Sequence, residues 1–418
     1  MGVGEIHVST LDGIFLVLGV LGAIGGVVIV WWVIRHVIGR RPEAPATKSD
    51  IKRINEQLEE LAEKLSPPDV VRPTTEDLAA EATAETEKML QEALDFVHEG
   101  KYRDAIEQVL TAYDRDLPPR AKAQLHLVAG NAYLELSDYG AAETHYKLLM
   151  QAALDSKDRE AEAAAAGGLG QVHANRSDLE GAEGYHRMAL GIFEEIGDRF
   201  GQAAQWGNLG LVYGYRGELE DAEDYYRKAL AIFEEIGDRF GQAAQWGNLG
   251  LVYGDRGELE DAEDYYRKSL VIFEEISNGF GQASQLGNLG NVHAGRGELE
   301  DAEDYYRKAL DIFEEIGNKF GQAHDLGSLG NVYARRGDLE GAEEHYRKAL
   351  VIQEEIGYRL GQATQLANLG SLYTRRGDVE AAEEQYQQAL AAFEEIGARH
   401  YAEITRRNLA ELKEKHDD

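Results

Sequence analysis

Asparagine side chains recur at intervals of forty residues along the chain. They stand directly before a Leu-Gly pair, at Asn208, Asn248, Asn288 and Asn368, and Ser328 occupies the same slot. A carboxamide can donate to a backbone carbonyl and accept from a backbone N–H. A row of such groups therefore suits the binding of an extended peptide. Two alternatives stay open: Asn simply fits the repeated unit, or it pairs with a helix of the neighbouring unit.

Other side chains accompany this asparagine row. The flanking polar residues are Asn291, Asn331, Arg335 and Arg375, and small residues that keep the wall shallow stand at Ala204, Gly207, Ala244 and Gly247. Towards the C-terminus the row gains Arg335, Arg336, Arg375 and Arg376. A ligand with small or apolar residues at one end and acidic residues at the other would match.

The sequence contains no recognisable catalytic motif. A Gly-rich phosphate loop, an HExxH pair and a GxSxG elbow are all missing, and there is no cysteine. Carboxylate pairs such as Glu234-Glu235 recur in almost every unit, whereas an active site is normally made once. The histidines mostly occupy the slots of repeated tyrosines, which favours packing over ligation. We therefore predict a protein that is not an enzyme and has no cofactor or metal site.

The elements that position these side chains come from an internal repeat. Residues 197–236 and 237–276 are nearly the same forty residues written twice, differing only at Tyr215/Asp255, Ala229/Ser269 and Ala231/Val271. Self-similarity at a period of about 20–50 residues marks a repeat array. In such an array, function usually lies in what the repeated surface binds.

Each forty-residue unit is predicted to contain two helices. Apolar residues are spaced by three and four, first at Trp206, Leu209 and Tyr213 and again from Leu219 on. Gly217 then marks the turn between the helices, and further glycines end each unit. Weaker copies lie upstream, which gives about eight units over 82–397. The last stretch, 398–418, reads as a capping helix and tail.

These residues carry a family resemblance. Trp206-x-x-Leu209-Gly210-x-x-Tyr213, followed by Ala222 and Tyr226, resembles the tetratricopeptide (TPR) signature. The helix-ending proline is missing, and the unit is lengthened from about 34 residues to forty. That variant is similar to kinesin light chains, the Pins/LGN group and many bacterial TPR proteins. The resemblance covers about three quarters of the chain and implies an all-α helix-turn-helix solenoid with a right-handed superhelix.

The resemblance also implies where the asparagines lie. In TPR proteins the first helix of each unit lines a concave groove, and the residue before Leu-Gly points into it. TPR domains that bind chaperone tails use a cationic clamp four residues before that slot. Here those positions hold Ala204, Ala244, Ser284, His324 and Thr364. Recognition of a C-terminal carboxylate by that clamp is therefore not expected.

The front of the chain is predicted to cross a membrane. Gly13 to Ile34 contains no charged residue, and 22 helical residues span roughly 33 Å against a bilayer core of ~30 Å. Trp31 and Trp32 lie near the end of this run, where tryptophans of a membrane interface are expected, and the cationic residues Arg35, Arg40 and Arg41 follow it. This flank favours a cytoplasmic position for the repeats. A cleaved signal peptide is disfavoured because the apolar run is too long and lacks a basic N-terminal flank.

The segment after this span is predicted to form a short coiled coil. Ile51, Ile54, Leu58, Leu61 and Leu65 are spaced by three and four over about two heptads. With the small-residue pair Gly22-x-x-x-Gly26, this hints at a homo-oligomer. The alternative is a monomeric amphipathic helix. Prolines from 67 to 73 then form a stiff hinge.

Charge excludes one class of partner. The formal net charge is −33, so we do not expect the protein to bind nucleic acid through a broad basic face. Many of the acidic residues stand in the first turn of the second helix of each unit, where negative charge interacts favourably with the helix dipole. The acidic surface can also bind a basic partner or be an adaptation to a saline cytoplasm.

The combined prediction is a membrane-anchored scaffold that binds a peptide or protein partner in the concave TPR groove. The alternative is a ligand-responsive sensor whose superhelix changes shape on binding. We expect a single-pass protein, of a bacterial inner membrane, with cytoplasmic repeats. The predicted segments are a tail (1–10), a transmembrane helix (11–38), a linker (39–81) with its coiled coil (48–66), the TPR units (82–397) and the cap (398–418).

Overall fold

The computed structural model describes residues 90–96, 101–113 and 119–417. Within these ranges all regular structure is α-helical and there are no strands. Residues 90–96 are helical, and sixteen further helices follow. They are α1 (Tyr102–Tyr113), α2 (Pro119–Glu135), α3 (Tyr139–Ser156), α4 (Arg159–Asn175), α5 (Leu179–Ile196), α6 (Arg199–Tyr215), α7 (Leu219–Glu235), α8 (Arg239–Asp255), α9 (Leu259–Glu275), α10 (Gly279–Arg296), α11 (Leu299–Glu315), α12 (Lys319–Arg336), α13 (Leu339–Glu355), α14 (Arg359–Arg376), α15 (Val379–Glu395) and α16 (Arg399–Asp417).

The predictions for the front of the chain lie outside the described residues. These are the transmembrane helix at 11–38 with its flank, the coiled coil at 48–66 and the proline hinge. Across the ranges that the structure does describe, no helix combines the length and the apolar character needed to cross a membrane.

The described helices form two compact parts, an N-terminal part ending at Ile236 and a C-terminal part beginning at Gly237. In each part, consecutive helices pack as pairs joined by short turns. The pairs of the N-terminal part are α2 with α3, α4 with α5 and α6 with α7, and those of the C-terminal part are α8 with α9, α10 with α11, α12 with α13 and α14 with α15. We call the first helix of a pair the A helix and the second the B helix. Each B helix also contacts the next A helix of its own part. The prediction of an all-α helical repeat is confirmed.

Local sequence sets where these helices begin and end. Most A helices start at an Asp or Asn whose side chain accepts a backbone hydrogen bond three residues on, as Asp198 accepts from the N–H of Gly201 at 3.1 Å. Gly217 and Gly237 adopt positive φ of 76° and 70°. A left-handed residue ends a helix with little strain when it is glycine. The glycines that the sequence marked as turns therefore are turns.

A glycine lets the two helices of a pair approach closely. A Cβ added to Gly290 would lie 2.7 Å from the ring of Tyr306, which stands on the B helix of the same pair. Tyr306 is 3% exposed and packs with Ala302, Leu329 and Val332, which are all buried. Each such large side chain contributes about 1.5–3 kcal/mol by burial. The repeated Leu-Gly thus fixes the A–B contact that orients the A helix.

Much of the acidic charge takes part in contacts between successive helix pairs. Glu183 on α5 accepts from Arg216, the residue directly after α6, at 2.6 Å, and Arg187 and Tyr213 donate to the same carboxylate. Although burial alone would raise it, these hydrogen bonds lower the pKa of Glu183 to about 2. Equivalent contacts join Arg296 to Glu263 and Arg376 to Glu343 in the C-terminal part. Part of the acid excess is therefore structural.

Candidate functional site

The asparagine row lies on the A helices. In the N-terminal part, Asn208 on α6 is half-buried, and its side chain makes no protein hydrogen bond in the described structure. In the C-terminal part, Asn248 and Asn288 are only 7% and 5% exposed. Their Nδ2 atoms lie 3.5 Å from the Oε1 atoms of Gln245 and Gln285 on the same helices. Asn368 makes the same kind of contact with Gln365 at 3.4 Å.

These intrahelical contacts leave most of the amide chemistry unused. A distance of 3.5 Å is at the limit of a hydrogen bond, and each carboxamide offers two donors and one acceptor. No protein donor reaches the side-chain oxygens of Asn248, Asn288 and Asn368 within the described ranges. None of these oxygens is among the buried side-chain atoms without a partner in the described structure, so they are open to solvent and can accept from a ligand.

The glutamines three residues before this row pack the A helices against one another. The amide of Gln285 lies 3.2 Å from where a Cβ on Gly247 would stand, and Gln365 approaches Gly327 to 2.9 Å in the same way. Gly247 was predicted to keep the groove wall shallow. Gly247 also allows the close packing of two neighbouring A helices, since a side chain at this position would press on Gln285 of the next A helix.

Asn291 and Asn331 hold the adjoining B helices. Their Oδ1 atoms accept from the hydroxyls of Tyr306 and Tyr346, both at 2.7 Å. Burial raises the pKa of the Tyr306 hydroxyl, so it remains a neutral donor. These two predicted flanking residues therefore have a structural bond through the oxygen, while the amide NH₂ is not part of that bond.

The four arginines at the C-terminal end of the row divide into two kinds. Arg336 and Arg376 pair with Glu303 and Glu343 and also donate to the carbonyls of Leu299 and Leu339, at 2.7 Å each. Arg335 and Arg375 are exposed and donate through Nη1 to the carbonyls of Ala294 and Ala334, at 2.6 and 2.7 Å. Neither has a carboxylate within ion-pair distance in the described part of the chain.

Arg335 and Arg375 share a helix position with residues that the sequence analysis passed over. This position, five residues after the Leu-Gly glycine, is called the end position here. In the N-terminal part it holds Glu135, Asn175 and Tyr215, and in the C-terminal part Asp255, Gly295, Arg335 and Arg375. One signal was visible, because Tyr215/Asp255 is among the three differences between the twin units.

Both acids at the end position, the half-buried Glu135 and the exposed Asp255, have carboxyl pKa values above the usual range. Glu135 is half-buried, and burial raises the pKa of its carboxyl to about 8. Its Oε1 atom is buried with no hydrogen-bond partner within the described ranges. Partial desolvation also raises the pKa of the Asp255 carboxyl to about 6. The end position thus varies from acid to cation while the helix backbone repeats.

One group of side chains has the spacing of metal ligands among the described residues. His293, Glu298 and Asp301 offer ligand atoms within 4.8 Å of one another. His293 Nδ1 is 2.6 Å from Glu298, and Arg296 lies 3.9 Å from the same carboxylate, which disfavours a cation. The N-terminal part repeats the His–acid contact at His173 and Asp178, where it lacks a third acid. The contact therefore belongs to the repeat.

Solved structures share this fold at low identity. Aspartyl phosphate phosphatase F from Bacillus subtilis aligns with a TM-score of 0.55 at 13% identity, covering 89% of this chain and 94% of that one. A Rap protein complexed with competence and sporulation factor gives 0.53 at 16%, with 79% and 98% covered. The Cut9–Hcn1 hetero-tetramer of the APC/C gives 0.53 at 14%, with 88% and 60% covered. Identities this low show a shared fold and nothing further.

Sequence comparison identifies the family. No curated protein sequence matches the chain. A tetratricopeptide-repeat profile matches residues 161–235, 201–275, 241–315, 281–355 and 322–395, and a second matches 90–153. The first set alone runs over more than half of the 418 residues. Together with the helix pairs and their Leu-Gly contacts, these matches show that the chain belongs to the tetratricopeptide-repeat family.

Proposed function

We propose that this protein is an interaction scaffold whose A helices hold an extended peptide segment of a protein partner. Residues 11–38 would anchor the scaffold in a membrane, with the repeats on the cytoplasmic side. The observation that carries the peptide part is the unused hydrogen-bonding capacity of Asn208, Asn248, Asn288 and Asn368.

The reasoning starts from the spacing of these amides. Asn248, Asn288 and Asn368 stand at equivalent places on three A helices of the C-terminal part and form a row there, and Asn208 has the same place on α6 of the N-terminal part. An extended peptide exposes N–H and C=O groups that a helix or a sheet would satisfy internally. A carboxamide can bond both kinds of group. A row of amides therefore binds peptide backbone with little dependence on its sequence.

Relatives of similar fold give independent support for a binding role. The Rap protein was solved with competence and sporulation factor, and Cut9 was solved with Hcn1. Both are helical-repeat structures in complex with another molecule. A chain of this family without a recognisable catalytic motif is most simply explained as a binding protein.

The peptide part can be tested with random dodecapeptides. A bead-bound library is incubated with the full chain in mild detergent, and retained peptides are sequenced and resynthesised with a fluorescent label. Their affinity is then measured by anisotropy. Changing Asn248, Asn288 and Asn368, which all lie in the C-terminal part, together to Ala should weaken binding by at least about tenfold, since each lost hydrogen bond contributes roughly 0.5–1.5 kcal/mol.

A matched control removes three amides elsewhere. Gln151, Gln387 and Gln388 are exposed on B helices and bond to carboxylates four residues away. Their triple Ala variant should bind as the unmodified chain does. Circular dichroism must show equal helix content in both variants. If the asparagine variant binds as tightly as its control, the asparagine row does not hold the peptide.

The membrane part rests on the uncharged run from Gly13 to Ile34 and its arginine flank. Protease added to sealed inverted vesicles should digest the repeats, and protease added to right-side-out vesicles should leave them intact. The reverse pattern would overturn the cytoplasmic orientation. Recovery of the whole chain in the soluble fraction would overturn the anchor itself.

A further inference from the structure

The end position carries two arginines that form no ion pair with any described side chain. Arg335 and Arg375 occupy it in consecutive A helices, α12 and α14, and both are exposed. The chain has a net charge of −33, and most arginines of the array lie within 4 Å of a carboxylate. Two cations that lack such a partner in this acidic surface call for a physical reason.

A structural reason exists, but it uses only part of each side chain. Arg335 donates through Nη1 to the carbonyl of Ala294, near the C-terminal end of the preceding A helix. Arg375 repeats the contact with Ala334. A cation at the C-terminus of a helix is favourable. Guanidinium has five donors, however, and these bonds use one. The contact fixes the orientation of each fork and leaves its other donors available.

Helix geometry places these forks on the same face as the asparagine row. Arg375 follows Asn368 by seven residues, and seven residues at 3.6 per turn bring a side chain back to nearly the same face two turns on. Arg335 has the same relation to Ser328. The arginines therefore extend the row towards the C-terminal ends of the A helices.

The distance between the two forks sets the spacing of the ligand. Neighbouring A helices touch at Gly327 and Gln365, and helices in contact have axes ~8–10 Å apart. An extended peptide rises ~3.3 Å per residue. Successive forks therefore correspond to ligand residues roughly three apart.

We propose that Arg335 and Arg375 form an anion-reading pair, which selects an extended peptide with two carboxylate side chains about three residues apart. This inference rests on the peptide binding proposed above and specifies its ligand. Arginine binds carboxylate through two parallel N–H donors, which favours acidic side chains over amides at the same place. The neighbouring end positions differ in chemistry: Gly295 has no side chain, and Asp255 is acidic. The preference for acid is thus confined to the units of α12 and α14.

The test uses the same random dodecapeptide library and the full chain. Retained peptides should be enriched in Asp or Glu at positions i and i+3. The R335Q/R375Q variant should lose that enrichment and bind the selected acidic peptides at least about tenfold more weakly. R335K/R375K keeps the charge without the planar fork and should retain part of the enrichment. The control K308Q/K348Q removes two exposed cations that are paired with acids on their own B helices, α11 and α13, and should retain all of the enrichment.

Each outcome separates this inference from the function on which it rests. Retained peptides without acidic pairs, or enrichment that survives R335Q/R375Q, would overturn the anion-reading pair and leave peptide binding intact. A library that yields no retained peptide would overturn both. Thermal melts must show that R335Q/R375Q keeps its helix content. A loss of binding together with helix content would assign these arginines to helix capping only.

Discussion

Replacing Asp325 with glutamine is expected to stabilise the C-terminal part. Asp325 on α12 is 1% exposed, and its Oδ2 atom has no hydrogen-bond partner in the described structure. Its Oδ1 lies 3.1 Å from Nδ1 of His324. Burial raises the pKa of the Asp325 carboxyl. The equivalent A-helix positions hold a neutral amide, at Gln205, Gln245, Gln285 and Gln365.

A glutamine at the equivalent place in the preceding unit shows how the longer side chain packs. Gln285 packs its amide against Gly247 of the preceding A helix, and Asp325 faces Gly287 in the same way, with Oδ1 3.4 Å from a Cβ placed there. Leaving a buried acceptor unsatisfied costs about 1–3 kcal/mol. Asp325→Gln should raise the free energy of unfolding by about that amount at neutral pH. For a part of this size the melting temperature should then rise by roughly 2–12 °C.

The gain must depend on pH in a defined direction. A carboxyl with a raised pKa keeps its proton in the folded state after the unfolded chain has lost it. The contribution of the Asp325 carboxyl to stability is therefore greatest below its unfolded pKa of about 3.9 and is lost as pH rises through its folded pKa. Glutamine does not titrate. The advantage of Asp325→Gln should be small near pH 4, should grow with pH, and should level off above the folded pKa.

Urea unfolding followed by circular dichroism at pH 4.5, 6 and 8 measures this difference. Asp311→Asn is the control, because Asp311 is exposed on α11 and its replacement should change stability by less than about 0.5 kcal/mol. A glutamine variant less stable than the parent at pH 8 would refute the reasoning. An advantage that does not change between pH 4.5 and 8 would refute the assignment to the carboxyl charge.

Two further predictions concern packing within a helix pair. Gly290→Ala should lower the free energy of unfolding by about 1–3 kcal/mol, because the new Cβ would lie 2.7 Å from the buried ring of Tyr306. At Gly184, an exposed residue of α5, a new Cβ meets nothing within 4 Å, so Gly184→Ala should raise the free energy of unfolding by up to ~1 kcal/mol. Equal effects in chemical denaturation would contradict this. Asn291→Ala should lower the free energy of unfolding by about 1 kcal/mol, because the Tyr306 hydroxyl loses its 2.7 Å acceptor. An unchanged urea midpoint would contradict that bond.

The helix pairs could be predicted because their causes are local. Apolar spacing of three and four residues sets each helix, and Gly217 or Gly237 ends it through its own backbone conformation. The Leu-Gly contact is also readable, since the partner tyrosine stands on the next helix at a fixed offset. These causes act within one unit, and the forty-residue period repeats them.

Contacts between units could not be read in the same way. The sequence marks Gly247 as small, but only the structure shows that Gln285 of the next A helix needs that space. The partner of Gly247 is set by how two A helices of neighbouring units are placed side by side, which residue spacing within one helix does not specify. Within one unit the structure adds a contact of Asn291, whose oxygen accepts from the hydroxyl of Tyr306, and its place beside a ligand stays a prediction.

The arginine pairs show how this limit affects the candidate site. Arg335 and Arg336 are neighbours in sequence and were given the same role, yet successive helical residues point about 100° apart. Arg336 therefore turns towards the preceding helix pair and meets Glu303 and the Leu299 carbonyl. Arg335 stays on the face of the asparagine row. Ion pairing thus separates the cations that hold the repeats together from those available to a ligand, and Arg375 and Arg376 repeat the same division one unit later.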